Sequence, residues 1–383
     1  MVEGHRIFSE VLQMRIGIDA RLVFYSKAGI GQYIIHLTRG LEALAPENDQ
    51  FYLLQSRKDD TKIVQNHNFT RTSLWTPSHH RLEQSALRIE LGRLGLDLLH
   101  SPDFIPPFNR NFKSVITVHD LAFLLYPQFM TKESARYYGQ IDQAVRSTDH
   151  IIAVSQATKD DLVKLLGVPQ RKITVIYEGV NPIYHPIDKT EAHAFVKETF
   201  GLEPGFLFFI STIEPRKNIP ALLKAFRWLK DHRRRPEKLV LAGSKGWLFE
   251  EVDETIHKLK LENDVVLLGR VHDSEVNYLY NAAKMLVYPS FYEGFGLPPL
   301  EAMRCGTPVI VSKIKVMPEV VGDAALMVDP LDEEALGVAM DRLLEDESLR
   351  ANLIEKGLKR AANFSWEQAA RETLAVYRKT VNN

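Results

Sequence analysis

Two clusters of charged residues beside glycine turns supply the types and spacings that chemistry would need. The first is Tyr288-Pro-Ser-Phe-Tyr-Glu293-Gly294-Phe295-Gly296-Leu297-Pro-Pro-Leu-Glu301. Gly294 and Gly296 let backbone N–H groups approach an anion. A short helix begun at Pro298 or Pro299, where a missing N–H costs nothing, adds positive potential at the same end. Two carboxylates flank this nest, Glu293 in the loop and Glu301 on the helix. Glu301 could accept hydrogen bonds from a ribose diol, and Glu293 from the hydroxyls of a sugar. The second cluster is Ser211-Thr-Ile-Glu-Pro-Arg216-Lys217-Asn218, directly after the apolar run 206–210. Arg216 would give directional hydrogen bonds and Lys217 a point charge, a pair suited to a diphosphate.

Weaker patterns accompany them. Lys27-Ala-Gly29-Ile-Gly31 opens a helix whose Ile30, Tyr33, Ile34, Leu37, Leu41 and Leu44 share one face, so two glycines cluster N–H groups at its start. His119-Asp120 ends a strand, where His119 could donate to a sugar hydroxyl or to charge developing in a transition state. Ser155 and Lys159 fit a role of the same kind or an ordinary helix start. Taken singly, each motif also fits a plain tight turn, a solvated loop or a structural histidine.

These residues need a frame that brings strand ends together. Apolar runs at 15–20, 51–56, 97–102, 114–120, 150–155 and 173–179, then at 206–212, 238–243, 264–269, 285–290, 307–312 and 325–330, alternate with helical patterns. They predict an α/β protein of two Rossmann-like domains facing a central cleft, since ligands of open parallel sheets bind beyond the carboxyl ends of strands. The domains read as 14–187 and 188–364, divided by the proline-bearing Asn181-Pro-Ile-Tyr-His-Pro186. Ser365 caps a last amphipathic helix, 365–383, expected to return to the first domain. Residues 1–13 read as an N-terminal extension ahead of Met14, an alternative start, with no signal-peptide pattern.

Composition narrows the function. With 48 basic and 49 acidic residues the formal charge is −1, so no overall field favours nucleic acid. A single cysteine, Cys305, excludes an internal disulfide framework and any cysteine-cluster metal site and fits a reducing cytoplasm. No apolar run approaches the roughly 20 residues of a spanning helix. No Asp-x-Asp and no H-E-x-x-H occurs, so fixed cations and backbone dipoles are expected to serve a leaving diphosphate, with no metal and no cofactor. The stretch His79 to Leu94 mixes basic and aliphatic residues at helical spacing, as a helix lying peripherally on a membrane would.

From Met14 onward the chain resembles the retaining GT-B glycosyltransferases known as group 1, or family 4. The most specific parts are the Glu293/Glu301 motif and Glu214-Pro-Arg216-Lys217-Asn218, supported by Gly29-Ile-Gly31 and His119-Asp120. The resemblance implies a nucleotide-diphosphate sugar as donor on the second domain and a glycan or lipid-linked acceptor on the first. It implies that His119, Glu293, Arg216 and Lys217 are the catalytic candidates. Arg216 and Lys217 would hold the diphosphate, Glu301 the ribose, Glu293 with Phe295, Gly296 and Leu297 the sugar and phosphate, and His119 the sugar. Arg270 and Val271 would lie by the base, and Gly243, Ser244 and Lys245 at the cleft. Retention of the anomeric configuration through an oxocarbenium-like ion pair is implied in the same way. Arg15-Ile-Gly-Ile-Asp-Ala-Arg21, Thr117-Val-His-Asp-Leu121 and Leu241-Ala-Gly-Ser-Lys-Gly-Trp247 look most like bacterial mannosyltransferase-like enzymes of cell-surface polysaccharide assembly. GDP-mannose is the implied donor and a UDP-hexose its rival. A nucleotide-sugar epimerase and a non-catalytic nucleotide-sugar-binding subunit are the alternatives from other classes. Closure about 181–186 is expected on donor binding, and substitutions at Arg216 or Lys217 are expected to leave the fold intact.

Overall fold

The computed structural model describes residues 13–383 apart from 26–28, 46, 81, 104, 130–131 and 247–248. Most of the N-terminal extension, Lys27 of the first glycine loop and Trp247 therefore lie outside the described residues.

Thirteen strands form two all-parallel sheets. The first holds β1 (Arg15–Asp19), β2 (Gln50–Ser56), β3 (Phe69–Leu74), β4 (Leu98–Ser101), β5 (Lys113–Val118), β6 (His150–Ala153) and β7 (Ile173–Val175), in the order β3-β2-β1-β4-β5-β6-β7. The second holds β8 (Leu207–Ile210), β9 (Leu239–Ala242), β10 (Val265–Gly269), β11 (Met285–Tyr288), β12 (Val309–Ser312) and β13 (Leu326–Val328), in the order β10-β9-β8-β11-β12-β13. Central strands such as β6, β9 and β11 are buried along their whole length, which is why they read as unbroken apolar runs. β3 is the one strand the apolar pattern misses. It is an edge strand, Phe-Thr-Arg-Thr-Ser-Leu, with only its two ends buried.

Strand order reverses between β1 and β4 in one sheet and between β8 and β11 in the other. The loops leaving β1, β5, β8 and β11 carry Gly29, His119, Arg216 with Lys217, and Glu293, so the two switch points face one cleft.

The C-terminal helix Trp366–Asn382 returns to pack on the helix Ile30–Leu44 and on β5 and β6. Ser365 Oγ accepts from Gln368 N at 3.1 Å to start it. Gly40 makes the close approach possible, since a Cβ there would meet the Trp366 carbonyl oxygen at 2.8 Å.

Polar bonds join the domains beside the cleft. Glu319 of the second domain caps the helix Gln156–Leu166 of the first, accepting from Gln156 N at 2.8 Å and Ala157 N at 2.9 Å. Lys315 Nζ reaches Asp161 at 2.8 Å, and the Tyr292 hydroxyl donates to the same carboxylate at 3.1 Å. The C-terminal end of the segment expected to hinge is bonded to the helix Asp273–Ala282: Asn277 Oδ1 accepts from His185 N at 3.2 Å and Asn281 Oδ1 from Ile187 N at 2.8 Å. Residues 181–184 lie on the first-domain side of those bonds. There Val180 N donates to Phe364 O at 3.1 Å, and the two crossings of the chain run side by side.

The helix Glu83–Leu91 packs one face inward: Leu87 and Leu91 join Leu54, Leu74, Leu96 and Leu99 in a small core, and Glu83 is buried against Arg21 at 2.5 Å. Its other face keeps Ile89 exposed.

Gly179 tests the paired crossing. A Cβ at this position would lie 2.2 Å from Trp366 N and 2.5 Å from Ser365 C, both backbone atoms. Gly179→Ala is expected to cost roughly 1–3 kcal/mol in urea unfolding, the scale of an overpacked site. An unchanged midpoint would show that the crossings are not held in contact.

Candidate active site between the sheets

The cleft has a volume of about 660 Å³ and is walled by both domains. At its floor lies an ion cluster. Lys217, itself 4% exposed, donates from Nζ to Glu293 Oε1 at 2.7 Å and to the Tyr288 hydroxyl at 2.9 Å. Arg216 donates from Nη1 to Glu293 Oε2 at 3.2 Å, from Nε to Glu214, and lies 3.9 Å from Asp120 of the first domain. A short turn of 3-10 helix, Pro215–Lys217, started by a proline and ended by Asn218 in the left-handed region, aims the two cations to the same side.

Burial works against ionising Glu293, but the charges of Lys217 and Arg216 overcome it and hold its carboxyl down at about 2. Burial and the neighbouring Arg216 push Lys217 downward from its usual value, and Glu293 opposes them. Both carboxylate oxygens of Glu293 are therefore engaged by cations, a task its expected contact with sugar hydroxyls did not include. Lys217 is also no surface residue. Removing it would take one of the two cations from a buried carboxylate, so its substitution is not neutral for the fold as expected from sequence.

Glu301 lies in the helix Leu297–Arg304 behind the glycine turn. It accepts from the Tyr280 hydroxyl at 2.9 Å, and burial pushes its carboxyl up to about 8 despite that bond. Gly296, with φ 109°, sits at the N-cap of this helix, and after Leu297 the helix continues through Pro298 and Pro299, which carry no N–H. Gly294 is pressed against the opposite domain: a Cβ there would lie 1.9 Å from the His119 carbonyl oxygen. Thr158 ties the contact, its hydroxyl 3.2 Å from His119 O and 3.3 Å from Gly294 O.

His119 projects from the end of β5. Its Nδ1 lies 3.0 Å from Glu178 Oε1 and its Nε2 3.1 Å from the Pro102 carbonyl. Burial lowers its pKa, and the Glu178 carboxylate more than restores it, leaving the ring above its usual value.

The cleft wall brings together Gly29, His119, Arg216, Lys217, Gly243, Ser244, Arg270, Val271, Glu293, Gly294, Phe295, Gly296, Leu297 and Glu301. Two candidates fall outside it. Gly31 is buried in the first turn of the helix Ile30–Leu44, and Lys245 is exposed, its backbone forming an isolated bridge with Ile213. Ser155 is an ordinary N-cap, its Oγ accepting from Thr158 N at 3.0 Å. Sequence reasoning missed Glu178, Tyr280 and Tyr288. Glu178 follows β7 at a carboxyl edge, the one signal that pointed to it. The tyrosines lie inside a helix and a strand and carried none.

Residues 191–360 match the model of glycosyl transferases group 1, and residues 28–183 that of glycosyltransferase family 4. The O-antigen chain mannosyltransferase B of Escherichia coli is 32% identical over 385 residues, spanning 95% of this chain and all of that protein. Among solved structures, the sucrose-phosphate synthase of Thermosynechococcus elongatus superposes with a TM-score of 0.78 at 22% identity, covering 96% of this chain and 99% of that one. The Anabaena protein Alr3699/HepE, solved with UDP and glucose, superposes with a TM-score of 0.75 at 20% identity over 95% of this chain and 99% of its own. The twin parallel sheets are thus the GT-B fold, and the chain belongs to the group 1 glycosyltransferases.

Proposed function

We propose that this transferase moves mannose from GDP-mannose to a hydroxyl of a growing, O-antigen-like polysaccharide, with retention at the anomeric carbon and without a metal ion. The observation that carries the reading is the half-buried Arg216 and the buried Lys217, paired with Glu293 and lining the same cleft as the glycine turn at Gly294 and Gly296. Two fixed cations beside this turn meet the charge that develops on a departing diphosphate. The name of the Escherichia coli relative supports mannose and O-antigen. The departing phosphate takes the proton of the acceptor hydroxyl as that hydroxyl attacks from the same face. UDP-hexose remains the rival donor, favoured by the UDP and glucose bound to the Anabaena protein. A thermal-shift screen with both nucleotides and their sugars separates the two.

No helix among the described residues is long and apolar enough to cross a membrane. Peripheral attachment at the cytoplasmic face is part of the proposal. It rests on exposed Trp75, Leu82 and Ile89 beside exposed Arg88 and Arg93. No binding to anionic liposomes at low salt would remove it.

Arg216→Gln is expected to cut turnover by roughly a hundredfold, the scale of losing one preorganised charge stabiliser, while activity survives EDTA. Near-normal turnover of this variant, or complete loss on chelation, would place the diphosphate elsewhere. Lys217→Ala should in addition lower unfolding stability by about 1–3 kcal/mol, because it leaves one oxygen of the buried Glu293 without its cation and Arg216 as the carboxylate's one cationic partner. An unchanged denaturation midpoint would contradict that pairing.

Glu301 gives a pH test with a definite sign. A ribose diol donates to the ionised carboxylate, so binding draws on the form present above a pKa of about 8. Affinity for the nucleotide-sugar should strengthen as pH rises toward that value, by up to about tenfold per unit. Titration calorimetry would show the trend in the native protein and its loss in Glu301→Gln. A flat profile in the native protein would remove Glu301 from the ribose.

A further inference from the structure

The contacts of His119 admit one reading of its charge. Both of its ring nitrogens face acceptors, the Glu178 carboxylate at 3.0 Å and the Pro102 carbonyl at 3.1 Å. The carbonyl can only accept, so Nε2 carries a proton. A second proton lies on the hydrogen bond between Nδ1 and Glu178. Neutral imidazole holds one N–H, and a carboxylate is ordinarily the weaker base by about two units, so the second proton belongs to the ring. We infer that His119 acts as a fixed imidazolium on the first-domain wall of the cleft, and that Glu178 is the positioning residue that keeps its charge and orientation. The inference rests on the transferase reading above and deepens it.

The surroundings agree. Tyr33 packs edge-on to the His119 ring at 4.6 Å, and its hydroxyl is hydrogen-bonded with the Thr117 hydroxyl, 3.0 Å away, not with His119. His100 is bonded to Thr117 at 2.8 Å and to Tyr377 at 2.6 Å; burial, then the His119 charge, hold it down at about 3, so it stays neutral. Asp103, which follows Pro102, adds negative potential at His119, while its own carboxylate pairs with His79. Asp120 faces Arg216 instead, 3.9 Å away. Glu178 is 7% exposed and also raises the pKa of Glu301.

An imidazolium with both N–H groups committed cannot hand a proton to the substrate without giving up Pro102 or Glu178. Its contribution is a charge acting through a water-poor cleft, where Coulomb terms are larger than in bulk water. Arg216 and Lys217 belong to the second domain and His119 to the first, and the three line one cleft where Gly294 rests against the His119 backbone.

The test is the ring titration of His119 by NMR in the full-length, ligand-free protein, with its signals assigned by their loss in His119→Gln. Both nitrogens should stay protonated to well above the ordinary imidazole pKa of about 6.5. In Glu178→Gln the amide oxygen can still accept from Nδ1 but the charge is gone, and the ring should titrate at or below that value. Sugar transfer at saturating donor should then fall in Glu178→Gln, relative to the native protein, by tenfold or so as pH rises from about 6 to about 8. At the acid end the variant should recover. A singly protonated ring at neutral pH in the native protein, or a constant ratio of the two rates across that range, would overturn the assignment. The ring titration reads the charge whether or not transfer is detected, so failure of the functional reading and failure of this inference are separate results.

Discussion

Everything at the cleft floor depends on the triangle of the buried Glu293 and Lys217 with the half-buried Arg216. Neither cation could be kept at so enclosed a site without a carboxylate, and Glu293 meets both, at 2.7 Å and 3.2 Å. The price is that the cations are already matched before any ligand arrives, by Glu293, Glu214 and the more distant Asp120. Under the proposed function, selectivity for a diphosphate would come from geometry more than from net positive charge, since Glu293 and Glu214 fix the two cations in direction.

Close backbone approaches set the shape around this triangle. Gly294 brings the donor loop onto the His119 backbone, Gly179 lets the outgoing chain pass Trp366, and Gly40 seats the returning helix. Each lies where a side chain would collide with main-chain atoms that cannot turn aside. The C-terminal helix, though last in sequence, is therefore part of the first domain's frame, and its Trp366 lines the cleft. The chain crosses between the domains twice, side by side, and Asn277 and Asn281 bind the first crossing to the second domain.

Much of this was legible from the chain. Strands buried on both faces announce themselves as apolar runs, and the glycine turns and charged motifs lie at strand ends where parallel sheets place ligands. What could not be read is pairing across distance. Glu293 stands 76 residues from Lys217, and Glu178 stands 59 from His119. A lysine in a polar loop reads as solvated, whereas Lys217 is buried, and a histidine at a strand end reads as a donor, whereas His119 has both nitrogens occupied. The edge strand β3 was hidden for the converse reason: with one neighbour and little burial, it needs no apolar run.

A crystal structure of the protein with a bound nucleoside diphosphate tests the central claim most directly. The account predicts non-bridging phosphate oxygens within hydrogen-bonding distance of both Arg216 and Lys217, the ribose hydroxyls on Glu301, and Glu293 still paired with Lys217. A diphosphate seated away from these cations, or a Glu293 released from Lys217 on binding, would contradict it.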